Sequence, residues 1–311
     1  MSNFQITCAG SAVFDILIKS TAEHLPIGVL GLVDSFSTAE GGPALRTGRV
    51  LAGMGVETKL IIPTGDDLFG RSFHQTVPAP HLHVEWVDSE LPTSTSMVLV
   101  DRVGERTMLH NIGADASITA EAIEGRMEGS ILHVGGALVL PGLDDPDGAP
   151  LAGLFQRASA RGIFTSVDVV HDSTERWQRV VPALAYTDLF IPSLIEAAAI
   201  TGVDEPVAAA AAVRELGVRF AIVTDGPRGA WVDHDDFKGH IPAFKVDTID
   251  TTGAGDAFTG GVLLGIVHGL GAWEAARLGA AMGALATTTI GTFSGPEETA
   301  LPWRMAGLEK P

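Results

Sequence analysis

Cysteine is almost absent: Cys8 is the single one in 311 residues. An internal disulfide is thereby excluded, and a reducing, cytoplasmic location is expected. Cys8 lies in an apolar strand-like run and reads as a small core residue, not a nucleophile. No apolar run is long enough to span a bilayer. The opening residues Met1–Gln5 lack the basic and apolar stretches of a secretory signal. Basic residues are scarce: 20 Lys and Arg stand against 38 Asp and Glu, a formal charge of −18. That excess disfavours nucleic acid and anionic membrane surfaces as partners. It does not disfavour a small anion held by local N–H groups. There is no Gly-x4-Gly-Lys-[Ser/Thr] loop, no Cys/His cluster with zinc spacing, no repeat period and no low-complexity tract.

What remains is a globular composition, with 46% apolar and 19% charged residues. The length suits one large α/β domain or two smaller ones, and no interdomain linker is visible. Phe4–Ala9 reads as a first strand. Gly41-Gly42-Pro43 precedes a helical run from Ala44 to Met54, which Gly55 closes. Val56–Ile62 is strand-like. Between Ser94 and His110 the pattern is that of a hairpin around Gly104. Paired with strands near Ile16–Ile18 and Leu32–Phe36, it predicts a small separate sheet. From Asn111 onward strands alternate with helices. Ile131–Val134, Ile163–Val170, Leu189–Ile191 and Phe220–Thr224 are the strands; Leu151–Ala160, Ile195–Thr201 and Val207–Leu216 are the helices. Such alternation predicts a mostly parallel sheet covered on both faces. Two Ala- and Gly-rich helices, Ala257–Leu270 and Ala272–Thr289, complete the chain.

The most specific stretch is Asp250-Thr251-Thr252-Gly253-Ala254-Gly255-Asp256-Ala257-Phe258. It joins a strand-like run (His240 to Val246) to the first of those two helices. The first N–H groups of a helix have no partner inside it, and the helix dipole adds positive potential there. Gly253 and Gly255 lack a Cβ, so an anion can approach the backbone. Asp256 places a carboxylate in the same spot, which is unfavourable beside an anion unless the carboxylate has a chemical task. The task that fits is accepting the proton of a hydroxyl that attacks a phosphoryl group. A dinucleotide site fits poorly, because no acidic residue follows at a second strand end.

This run resembles the second signature of the ribokinase-like (PfkB) family of carbohydrate kinases, and the resemblance covers essentially the whole chain. It implies an α/β/α sandwich within one domain over residues 1–311, with lid strands from about 12–38 and 94–112. It implies transfer of the ATP γ-phosphoryl group to a hydroxyl of a sugar-like acceptor. Asp256 would be the base, and the N–H groups of Gly253, Ala254 and Gly255 would hold the developing charge. In the family a Gly-Gly pair lines the sugar pocket, and Gly41 and Gly42 stand there. Asp15 matches an aspartate that holds sugar hydroxyls, and Arg106 an arginine that reaches the sugar from the lid. His110 and Asn111 end the same strand.

The pattern is not kept throughout. Arg46 replaces the family's Asn. Its fork suits an anionic group on the acceptor, or else a structural pair with Asp15 or Glu40. Glu196 matches a glutamate that organises Mg²⁺ through water, although Ser193 replaces the Asn that usually precedes it. Asp168 matches the acid of an Asp-x-Asn stretch whose Asn is here Val170. Thr224, Gly226 and Gly229 form the expected nucleotide-side loop, with Ser193 beside it. Asp250, Thr252, Ala286, Thr289 and Gly291 stand where several relatives hold K⁺. A homodimer through the lid is also allowed, since an unpaired edge strand is a ready partner surface. Two alternatives stay open. One is a nucleoside kinase, disfavoured by an aromatic content of only 6%. The other is a noncatalytic sugar or nucleotide sensor on the same fold.

Overall fold

In the computed structural model, residues 4–19, 28, 30–100, 106–170 and 174–311 are described, the side chain of Arg106 excepted. The strands are β1 (Ile6–Gly10), β2 (Val13–Lys19), β3 (Ser35–Gly41), β4 (Thr58–Gly65), β5 (Leu82–Ser89), β6 (Thr95–Val100), β7 (Arg106–Asn111), β8 (Ile131–Ala137), β9 (Phe164–Val169), β10 (Leu189–Phe190), β11 (Phe220–Thr224), β12 (Ala230–Asp233) and β13 (Lys238–Ile241). The helices are α1 (Pro43–Gly53), α2 (Leu68–Thr76), α3 (Ala120–Glu124), α4 (Ala149–Ala160), α5 (Val181–Leu184), α6 (Leu194–Thr201), α7 (Pro206–Glu215), α8 (Ala254–Val267), α9 (Ala272–Ala286) and α10 (Leu301–Ala306).

Nine strands form the main sheet, in the order β13-β12-β11-β10-β9-β8-β1-β4-β5. β5 to β11 pair in parallel; the β12 and β13 edge is antiparallel. Every residue of β1 and β4 is buried, as expected of strands covered on both faces. Their side chains divide between two cores. Ile6, Cys8, Leu60 and Ile62 join α1, α8 and α9 on one face, while Ala9 and Ile61 join α4 and α7 on the other. The result is a three-layer α/β/α sandwich. Cys8 is fully buried, and desolvation pushes its thiol far above the usual range. α8 and α9 are close because both are small-sided at the contact. A Cβ on Gly261 would sit 2.8 Å from the Gly279 Cα.

The chain leaves β1 toward β4 on one side and β8 on the other, so β1 and β8 flank a switch point in strand order. Ligands of open α/β sheets bind beyond the carboxyl ends of strands at such points. Here those ends are crowded with backbone: a Cβ on Gly135 would lie 2.5 Å from the Ala44 N at the start of α1.

Above this point sits a separate four-stranded sheet, ordered β3-β2-β6-β7. Its register pairs Asp15 with Ser96 and Ser96 with His110, which aligns the three on one face. The opposite face carries Phe14, stacked on Phe69 of α2 at 4.5 Å.

Several expected boundaries move. The strand expected at Leu32–Phe36 is instead Ser35–Gly41, a largely exposed edge strand whose polar sequence hides it. The Gly104 turn lies outside the described residues. The run expected to stay extended to Val246 ends at Ile241, where Pro242 has no N–H to continue a ladder. The helix expected from Ala257 begins at Ala254, so Gly255 and Asp256 belong to its first turn. No helix among the described residues is long and apolar enough to cross a membrane.

Candidate active site

Gly253 caps α8 with φ +76°, a left-handed conformation that costs a glycine little and any other residue more. Past it, the Ala254 N–H donates to the Thr251 carbonyl at 3.3 Å. The next two N–H groups, of Gly255 and Asp256, have no backbone acceptor among the described residues. Gly255 is exposed, and a Cβ added to it would meet nothing within 4 Å. The helix start is thus an open cradle lined by unpaired N–H groups. Helix starts of this kind are general sites for phosphate and other anions.

Two residues from α1 lean on this cradle. Thr47 Oγ1 donates to the Asp256 carbonyl at 3.3 Å. The Arg46 guanidinium lies beside Gly253, where a Cβ would come within 3.4 Å of its Cδ and 3.6 Å of its Nη1. Arg46 Nη2 donates to Asp15 Oδ2 at 2.9 Å, and Nη1 stands 3.7 Å from Asp256 Oδ2. All three side chains are 14% exposed. Arg46 therefore bridges the acid of the small sheet to the acid of the helix start. The neighbouring Arg49, not Arg46, takes Glu40.

Asp15 rests on Gly41, whose missing Cβ would fall 2.2 Å from Asp15 Oδ2. Burial pushes the Asp15 carboxyl up to about 6, against the lowering pull of Arg46 and a hydrogen bond from Ser96. His110 Nδ1 is 3.0 Å from Ser96 Oγ, which extends the polar row along the sheet. Arg106 opens β7, but its side chain lies outside the described residues.

Asp256 is also raised above the ordinary carboxylate range, chiefly by burial; Arg46 opposes the shift and Glu196 adds to it. Asp168, at the end of β9, is raised well above its usual value by burial and then by Asp256 and Glu196. Three carboxylates thus repel one another at the carboxyl ends of the parallel strands. Glu196 Oε2 accepts from the Ser193 N at 2.7 Å, and Ser193 Oγ accepts from the Glu196 N at 3.3 Å, a reciprocal cap on α6. Among the described residues no three ligating side chains are grouped to cage a metal.

Ser193 is bridged to Thr224, and Gly226 (φ +51°) opens the turn from β11 into β12 with open space above it. A Cβ on Gly229 would strike the Ile241 carbonyl at 2.2 Å, so that glycine serves the β12–β13 hairpin. The loop around Asp250 joins the end of α9, because Ile249 and Asp250 both donate to the Thr287 carbonyl. Thr252 donates to Asp250 Oδ1, and the Ala286 carbonyl accepts from Thr289. Gly291 has φ +87°.

Asp115 has no counterpart in the sequence reading. It is fully buried where both sheets meet. Its Oδ2 accepts from Ser11 Oγ at 2.5 Å, its Oδ1 accepts from the Ala12 N, and its own N donates to Ser94 Oγ. A lone acid after Gly113-Ala114 carried no periodic signal. Ser96 was also missed, although alternation along β6 places it opposite Asp15.

A nine-stranded sandwich roofed by a four-stranded sheet is the ribokinase fold, and solved structures agree. A ribokinase from Thermotoga maritima superposes with a TM-score of 0.80 at 23% identity, covering 97% of this chain and 99% of that one. A ribokinase from Arabidopsis thaliana, complexed with ribose and ATP, also gives 0.80, at 19% identity over 98% and 99%. A fructokinase from Klebsiella pneumoniae is 30% identical, with 97% of each chain aligned. The model of the pfkB family of carbohydrate kinases matches residues 3–300, and the chain belongs to that family.

Proposed function

We propose that this carbohydrate kinase transfers the γ-phosphoryl group of ATP to a hydroxyl of a neutral sugar, with a fructose-like ketose as the first acceptor expected. The observation that carries the reading is Asp256, a carboxylate fixed in the first turn of α8 beside unpaired N–H groups. Asp15 and the Asp15–Ser96–His110 row face the same space from the small sheet. The ketose is favoured by the fructokinase similarity, which spans nearly both chains. ATP as donor is favoured by the open Gly255 cradle and by the nucleotide in the similarly folded plant ribokinase.

Asp15 accepts acceptor hydroxyls on oxygen lone pairs that Arg46 leaves open. One hydroxyl is thereby aimed at the cradle. Asp256 takes its proton as the oxygen attacks, and the N–H groups of Gly255 and Asp256 receive the charge that develops on the phosphoryl oxygens. Mg²⁺, when bound near Asp168 and Glu196, supplies positive charge for the phosphates. A monovalent cation at the Asp250–Thr252 loop would bias the same helix start. Closure of the small sheet over the acceptor would exclude water.

An anionic acceptor is less favoured than the Arg46 fork alone suggests. That fork already serves Asp15, and the surrounding acids Asp168, Glu196 and Asp256 repel a second anion. The deciding experiment is ADP release against D-fructose, D-ribose, sugar acids, sugar phosphates and nucleosides. Turnover of D-fructose or another neutral sugar supports the reading. Turnover of a nucleoside alone moves it to a nucleoside kinase, and no ADP release with any acceptor would leave a sensor.

A further inference from the structure

Arg46 lies at the junction of the three parts of this site. Its Nη2 is bonded to Asp15, its Nη1 is 3.7 Å from Asp256 Oδ2, and its stem lies against Gly253. Its Nε is buried with no hydrogen-bond partner. A guanidinium kept only as a strut would be poorly chosen, because an incompletely paired buried charge is costly and is replaced by apolar packing at little loss. The 3.7 Å separation is also longer than a hydrogen bond. Nη1 is therefore held near Asp256 by charge and is not locked to it.

We propose that Arg46 is a catalytic residue that stabilises the transferring phosphoryl group, a role resting on the kinase reading above. In the resting protein its charge is shared between Asp15 and Asp256. During transfer the acceptor oxygen forms a bond to the γ-phosphorus, the bond from that phosphorus to the bridging oxygen breaks, and its electron pair leaves with ADP. The hydroxyl proton ends on Asp256. Once neutral, Asp256 no longer holds Nη1 by charge, and the phosphoryl oxygens over the cradle do. Arg46 keeps its protons throughout, and its Nη2 bond keeps Asp15, and so the acceptor, in register.

The test uses Arg46→Ala and Arg46→Lys in the full-length protein with Mg²⁺ and the best acceptor from the panel. Arg46→Ala is expected to lose about 10²–10³-fold in kcat with little change in the KM for ATP. Added guanidinium ion should restore part of that loss, and Arg46→Lys should fall between. Binding gives a readout independent of turnover: ADP with aluminium fluoride should bind the wild type more tightly than a nonhydrolysable ATP analogue. Arg46→Ala should lose that preference; if Arg46→Ala does not fold, the same comparison is made on Arg46→Lys. Wild-type kcat in Arg46→Ala, a defect confined to acceptor KM, or an unchanged aluminium fluoride preference overturns the role. A wild type that phosphorylates nothing would instead overturn the kinase reading, and this inference with it.

Discussion

Replacing Gly255 by alanine separates the cradle's function from its stability. The new methyl meets no atom within 4 Å, and the Gly255 backbone already lies in the first turn of α8. Alanine is better than glycine inside a helix by about 0.8–1.0 kcal/mol, and about half of that applies this near an end. The melting temperature should therefore hold or rise by up to about 1 °C. The same methyl occupies the space through which a phosphoryl oxygen must reach the N–H groups. Loss of one such donor costs about 10²–10³-fold in kcat. Gly253→Ala is the control with the opposite signature. At φ +76° the left-handed backbone costs alanine about 1–2 kcal/mol, while its methyl would only touch the Arg46 stem. That variant should melt about 1.5–3 °C lower. Thermal unfolding without ligand, alongside initial rates of ADP release, reads both effects. A Gly255→Ala protein that turns over at the wild-type rate would refute a phosphate over this turn. One that melts several degrees lower would refute the open geometry.

Three further outcomes follow from the same structure. Burial raises Asp115 to about 7 from 3.8, so its stabilising contribution is full below pH 4 and is lost as pH rises to 7, about 4 kcal/mol in all. Asp115→Asn keeps an acceptor for the Ala12 N and should melt progressively higher than wild type from pH 4 to pH 8; parallel curves would contradict this. Ser193→Ala removes the α6 cap and should cost about 1 kcal/mol in chemical denaturation, with the midpoint shifted and the slope unchanged. Asp15→Asn should raise the acceptor KM about 10–100-fold, from loss of charged hydrogen bonds, while the ATP KM stays put.

The helix start was legible in the sequence because its chemistry is contiguous: two glycines and an acid within four residues. Its position was read three residues late, since glycines look like loop until tertiary packing makes them the first turn. The layers were legible from buried apolar runs such as β4 and β11. β3 was not, because Ser-Phe-Ser-Thr-Ala-Glu-Gly is polar enough for an exposed edge and carries no apolar alternation. The Asp15–Arg46–Asp256 bridge was half visible. A pair of Arg46 with Asp15 was among the alternatives, but they lie 31 positions apart. The approach to Asp256 joins segments about 200 residues distant, as the 209-residue span from Thr47 to Asp256 shows. No local pattern reports such contacts; only the crossing of α1 over α8 creates them. Asp115 stayed hidden for the same reason, since its partners come from two other chain crossings between the two sheets, Ser11 and Ala12 after β1 and Ser94 before β6.

The central claim is that Asp256 accepts the acceptor's proton. Asp256→Asn preserves size and removes the base, so single-turnover transfer of the γ-phosphoryl group to the preferred sugar measures it most directly. The account predicts transfer slowed by about 10²–10⁴-fold, with ATP binding retained by calorimetry. Transfer at the wild-type rate in a protein that binds ATP normally would contradict it.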